Sequence, residues 1–279
     1  MTRGNAPAVI ASLVLASPVV IGAAYSGLAA VGAVGAGADG LSGAALVHVL
    51  MSSVTWHGVA WTVATAGVAT LLASAAAVVV AVRVRDSRTG RLLAVLPMGV
   101  PHVAAALAAL LMLGQSGLLS RLARLAGLTE IPGDFPALVY DQAGVALVIA
   151  SAWKEFPYLA LTALAVLLTD AARLEEVART LGATSRQAFW RITWPRVWLG
   201  TAPAALAAFA FLLGQYEMPA LLAPSNPTAL ALLTYERSID PMLARRAEAH
   251  VLALLALVIS ASIVILYARL QHRGQSESA

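Results

Sequence analysis

The residue types able to do chemistry are few, and the costliest lie inside apolar sequence. Lys154-Glu155 falls within Ser151-Ala152-Trp153-Lys154-Glu155-Phe156-Pro157-Tyr158, inside a run otherwise fit to cross a bilayer. A lysine at the centre of a membrane helix costs about 2.5–3.5 kcal/mol. Such a residue should face a water-filled path or a partner charge, not lipid. Pro157 adds a polar group there, because it leaves the Trp153 carbonyl without its helical donor. Lys154, Glu155 and Tyr158 are therefore candidates for lining a polar path, with bundle packing or gating as the plainer role. Gly214-Gln215-Tyr216-Glu217-Met218-Pro219 ends a later apolar run and adds Gln215 and Glu217. A carboxylate at an outer mouth would suit a cationic solute, or would simply cap the loop.

Other chemistries find no support. The chain has no cysteine, which removes disulfides and thiolate chemistry. His48, His57, His102, His250 and His272 are scattered, without a compact metal-binding spacing. They are expected to be packing residues, with no metal or other cofactor held. A P-loop needs G-x-x-x-x-G-K-[ST], but the sole lysine follows Trp153. ATP hydrolysis by that route would have to come from another polypeptide. No Ser/His/Asp grouping suggests a catalytic residue or a membrane-embedded enzyme.

The elements that must position these residues are helices in a membrane. The 279 residues are 60% hydrophobic and 11% charged, with a mean hydropathy of +0.82. A soluble domain carries roughly 25% charge, so the chain reads as an all-α integral membrane protein. Six apolar segments, roughly 8–34, 58–82, 92–114, 140–168, 197–216 and 248–268, each approach the ~20 residues needed to span. The fourth would measure about 43 Å as a straight helix, placing Lys154 near its middle. The first contains Pro18 and is longer than a signal-peptide core, so a retained span is expected rather than a cleaved leader.

The net charge of +4 comes from seventeen arginines and one lysine. Arginines beside apolar runs report membrane orientation rather than nucleic-acid binding. With the N-terminus inside, Arg3, Arg83, Arg85, Arg88, Arg91, Arg173, Arg179, Arg186, Arg191, Arg196, Arg269 and Arg273 are cytoplasmic. Arg121, Arg124, Arg237, Arg245 and Arg246 are then outside. Twelve against five places both termini in the cytoplasm. Among the outer loops, Leu118 to Leu125 reads as a short amphipathic piece. Asp240-Pro241 reads as the start of the last helix, with Arg245 and Glu248 paired at i, i+3. Gln271 to Ala279 is expected to be a disordered tail.

The longest polar interruption, Asp170 to Pro195, falls on the arginine-rich side. Leu174, Val177, Ala178 and Leu181 make one apolar stripe on a helix of roughly 171–181. Gly182 fits a helix C-cap with positive φ. Thr184 and Gln187 form a capping-box pattern for a second helix to about Trp194, and Pro195 fits the first turn of the next. Such a stripe can pack on its own bundle, lie on lipid, or enter a groove on another protein. Glu176-Val177-Ala178, three residues, Gly182, nine residues, then Ile192-Thr193-Trp194-Pro195 resembles the E-A-A loop of binding-protein-dependent ABC importer permeases. Val177 and Trp194 depart from the family's alanine and leucine. Trp-Lys-x-x-Pro-aromatic at Trp153 also resembles the family, and the stretch around Glu217 is similar to its polyamine, iron(III), thiamine and phosphonate branch.

That resemblance implies six transmembrane helices with a cytoplasmic coupling-helix loop between spans four and five. It implies a bacterial inner-membrane, multi-pass permease that moves a solute by alternating access. Residues 1–54 would be an N-terminal span and periplasmic loop, 55–270 the permease core and 271–279 the tail. Glu175, Glu176, Ala178, Gly182, Ala183, Ile192 and Pro195 would couple to ATPase subunits. A second permease chain, identical or related, and an extracytoplasmic solute-binding protein would complete the assembly. The other reading is an ion-gradient-driven secondary transporter using Lys154, Glu155 and Glu217 as a relay. It would be expected to show an inverted repeat, and none is evident.

Overall fold

The computed structural model describes residues 6–38, 40–168 and 172–276. Asp170 and Ala171, where the polar loop was expected to begin, lie outside them, as does Arg3. Among the described residues there are thirteen α-helices and no strand. Six apolar stretches are long enough to cross a membrane: Val9–Ala30, Ser53–Val84, His102–Leu125, Val145–Val166, Ser185–Gly214 and Leu243–Arg269.

The chain folds as two compact units, 59–229 and 1–58 with 230–279. In the second, α1 (Ala6–Ala30), α2 (Ala44–Met51) and α12 (Leu230–Ser238) all pack on α13 (Leu243–Ser276). Glu248 is the ionic tie of this unit: its carboxylate lies 3.0 Å from His48 Nδ1 and 3.3 Å from Arg237 Nε. The expected Arg245–Glu248 pair does not form, because Arg245 turns back to Asp240 at 3.5 Å. Asp240 Oδ1 accepts from the Met242 amide, and α13 begins at Leu243, two residues beyond the expected Pro241. The same helix continues through Ser276, so the tail expected to be disordered from Gln271 is helical over its first residues.

Unit 59–229 holds the other elements: the length of α3 (Ser53–Val84) from Val59 onward, α4 (Arg88–Val95), α5 (His102–Leu113), α6 (Leu118–Leu125), α7 (Val145–Val166), α8 (Ala172–Thr180), α9 (Ser185–Ala188), α10 (Trp194–Gly214) and α11 (Glu217–Leu222). Its core is lined with alanine. Ala73, Ala77, Ala160 and Ala204 surround Leu159, and Ala81 and Ala163 lie with Val78, Leu164 and Val197. Small side chains let helix backbones approach closely, which is how helices associate where lipid supplies no hydrophobic drive.

Two expected spans are shorter than the hydropathy suggested. The third, expected over 92–114, breaks into α4, a 3₁₀ turn at Leu96–Gly99, an extended Val100-Pro101 and α5. Pro97 opens the turn, and Pro101 forces Val100 out of the helical region, to φ −82, ψ 125. The fourth, expected from 140, starts at Val145. Tyr140 and Gly144 have φ of 60 and 71, and Asp141 Oδ1 accepts the Val145 amide at 2.8 Å. A Cβ on Gly144 would sit 2.9 Å from Trp61 Cζ2 and 3.0 Å from Thr65 Cγ2, so a positive φ and a close approach coincide. Gly144→Ala should lower stability by about 1–3 kcal/mol, read as a reduced unfolding midpoint of the purified chain in detergent.

Candidate functional site

The polar loop is built as a turn of fixed shape. Gly182 has φ +90, its N–H donates to Arg179 O at 3.1 Å, and the Ala183 N–H donates to Ala178 O at 2.9 Å. Those two bonds are a Schellman closure, which needs the left-handed glycine. Thr184 Oγ1 accepts from Gln187 N, and Gln187 Oε1 accepts from Thr184 N, so both halves of the expected capping box are made. The expected stop before Pro195 is absent. α9 passes through a π-helical turn, Phe189–Thr193, directly into α10. The Trp194 amide closes on Phe189 O, so the wider turn accommodates a proline that lacks its own donor.

The apolar stripe of α8 is divided, with Leu174 and Ala178 half-buried. Val177 is 53% exposed and Leu181 83%, whereas Glu175 is only 9% exposed. Arg85, just past the end of α3, donates to Glu175 Oε2 at 2.9 Å and to Oε1 at 3.5 Å. Thr193 Oγ1 donates to the same carboxylate at 3.2 Å from the buried side of the π turn. Glu176, Gly182 and Pro195 remain exposed, while Ala178, Ala183 and Ile192 are half-buried. Leu174 and Ala178 pack partly on the chain itself, while Val177 and Leu181 stay open to the other two options. Arg85 was counted in the sequence only as an orienting charge. Its partner lies 90 residues away, beyond what local spacing reveals.

The second polar centre lies along the middle of α7, where the third span breaks. The Lys154 side chain is buried and its Nζ donates to Met98 O, in the 3₁₀ turn, at 3.4 Å. Glu155, also buried, places Oε1 3.5 Å from His102 Nε2 at the start of α5, without the alignment of a hydrogen bond. The His102 ring packs on Phe211, centroids 5.2 Å apart. His102, expected to be a lone packing residue, thus faces a carboxylate. The adjacent Pro101 was the available signal, since a proline-broken span leaves its next residue at a helix start. Tyr158 is partly exposed on the same helix. Gln215 is buried and its amide nitrogen has no hydrogen-bond partner. Glu217 is exposed in the first turn of α11, and neither it nor Gln215 hydrogen-bonds to Lys154.

The Arg85 hydrogen bond holds the Glu175 carboxyl below the usual glutamate range, against burial, which pushes it up. A lowered pKa in the folded state stabilises above the ordinary value and is lost as pH falls through the folded one. Amide protection of α8 should therefore be flat through neutral pH and fall only in acid. Glu175→Gln should cost about 1–3 kcal/mol of that protection at neutral pH and remove the acid step, as hydrogen exchange of residues 173–182 would show.

Comparison with known proteins fits this geometry. The molybdenum transport system permease protein ModB of Mycobacterium tuberculosis (strain H37Rv) is 31% identical over 188 residues, 66% of this chain. The aligned stretch spans 65% of that relative's length. The inner membrane ABC transporter permease protein YnjC of Escherichia coli K12 is 28% identical over 171 residues, 61% of this chain and 31% of that protein. A chain of a bacterial alginate ABC transporter, solved in complex with an alginate pentasaccharide-bound periplasmic protein, superposes with a TM-score of 0.74 at 17% identity. It covers 96% of this chain and 92% of its own length. Residues 45–274 match the family described as binding-protein-dependent transport system inner membrane component, and the chain belongs to that family, the permease subunits of ABC importers.

Proposed function

We propose that α8 and its Gly182 turn are the lever through which a separate ABC ATPase drives this permease. The observation that carries this is the two-sidedness of α8. Glu175 is fixed inward on Arg85 and Thr193, while Glu176, Val177 and Leu181 face out. Glu175, Glu176, Ala178, Gly182, Ala183, Ile192 and Pro195 form the coupling element. An apolar rim on a rigid turn suits insertion into a cleft. The arginine bias puts that turn, and both termini, in the cytoplasm, where ATP is. Two permease chains, identical or related, enclose the path, two ATPase subunits dock below, and an external solute-binding protein delivers cargo. Closure of the ATPases moves the levers, and the spans rock between inward- and outward-open states.

The cargo we propose is a small oxyanion of the molybdate class. Two observations support it: relatives named for molybdenum transport, and a buried ammonium, Lys154, with one long contact to a carbonyl. Glu155, paired with His102, offsets part of that charge, and Tyr158, Gln215 and Glu217 line the route outward. Uptake of labelled molybdate by cells dependent on this chain should fall on the order of tenfold in Lys154→Gln and recover partly in Lys154→Arg. Equal uptake in all three would remove the oxyanion assignment. Survival of uptake after ATP depletion, with loss on collapsing the proton gradient, would remove the ABC mechanism.

A Cβ on Gly182 meets no atom within 4 Å, so a substitution there acts through the φ of +90 alone. Gly182→Val should distort the turn at a cost of about 1–3 kcal/mol while the spans still insert. The expected outcome is a chain that reaches the membrane in normal amount and retains ATPase binding but loses uptake. Normal ATP-dependent uptake in that variant would overturn the lever.

A further inference from the structure

A nine-residue helix attached beyond a glycine turn would pivot when pushed, unless something else holds its inner face. That hold is visible. The Arg85 guanidinium grips both Glu175 oxygens, and Thr193 Oγ1 shares one of them. The Arg85 main chain is gripped in turn, because Arg91 on α4 donates its guanidinium to the Arg85 carbonyl. Asp86 Oδ2 lies 3.6 Å from Arg85 Nε, but Asp86 is almost fully exposed and competes weakly. The elbow from α3 to α4 is itself stiff. The Ser87 N–H donates to Val84 O at 2.9 Å, Ser87 Oγ accepts from Gly90 N at 3.0 Å, and a Cβ on Gly90 would meet Val84 Cβ at 2.9 Å. From α4 the chain runs straight into the 3₁₀ turn whose Met98 carbonyl accepts from Lys154.

We infer that Arg85 is a positioning residue for coupling. It locks α8 to the α3–α4 elbow, so that the stroke of the lever reaches the Met98–Lys154 contact through the broken third span as well as through the helices covalently joined to the loop. The inference rests on the docking reading above and adds to it a route that motif spacing does not contain. Spatial continuity alone does not establish coupling; a shared element whose position both ends bias does. Here that element is the inner half of the third span, which Pro97 and Pro101 set off from α5. It packs on α7, and the Arg85–Glu175 pair ties its elbow to α8.

The absence of cysteine makes a direct test available. Paired cysteines at exposed Leu92 on α4 and exposed Arg173 on α8 carry spin labels in the full chain, in lipid nanodiscs, with and without the ATPase that co-purifies with it. The expected label-to-label distance is narrow and is unchanged between nucleotide-free and vanadate-trapped complexes. Arg85→Ala should broaden it in both states and lower solute uptake per ATP hydrolysed by about tenfold or more, with ATPase binding retained. The charge swap Arg85→Glu with Glu175→Arg should narrow the distribution and restore uptake. A distribution and uptake unchanged in Arg85→Ala would overturn the inference, as would a swap that restores neither. Should the wild-type chain bind no ATPase, the docking reading fails. The distance widths in the chain alone then still decide whether Arg85 locks α8.

Discussion

Inside a bilayer no water is available to satisfy a polar group, so every freed carbonyl and every charge must find its partner within the protein. The architecture of unit 59–229 follows from that constraint. Two prolines interrupt the chain before and at the start of α5 and leave backbone groups beside the middle of α7 that a continuous helix would have consumed. α7 brings a lysine and a glutamate to the same level. The Met98 carbonyl meets the Lys154 ammonium, and His102, at the fresh start of α5, meets Glu155. Each irregularity alone would be costly; placed side by side they offset one another. Their contacts are long, 3.4 and 3.5 Å.

The alanine-rich packing serves the same end. Large side chains would lock α3, α7 and α10 through interdigitation, whereas Ala73, Ala77, Ala81, Ala160, Ala163 and Ala204 let the helices meet across smooth, close surfaces. The rocking proposed above would use such surfaces, because packed cores switch between discrete arrangements rather than deforming continuously. Close or left-handed corners lie elsewhere: at Gly144 against Trp61, at Gly90 in the α3–α4 elbow, and at the Gly182 turn.

Features with local causes were legible in the sequence. Gly182 in the left-handed region, the Thr184–Gln187 box and the helix at Leu118–Leu125 depend on residues a few positions apart, and the structure contains all three. Hydropathy placed the six spans but not the break in the third, because Leu96, Met98 and Val100 are as apolar in an extended segment as in a helix. The two prolines carried that information, and hydropathy does not weigh them. The facing of α8 was left open for another reason. An apolar stripe states which side differs from the other but not which side is inside. That choice was settled by Arg85 and Thr193, distant in sequence and contributed by α3 and the π turn.

The two-sidedness of α8 also has a physical logic. Apolar contact is non-directional and tolerates sliding, which is poor for an anchor and serviceable for a docking face. A guanidinium gripping two carboxylate oxygens has fixed geometry and resists rotation about the helix axis. Removing one member would leave the other charge partly buried and unpaired, a penalty larger than the bond itself contributes. The ionic pair therefore fixes the inner side of α8 in angle, and Val177 and Leu181 are left on the outer side, where no fixed geometry is asked of them.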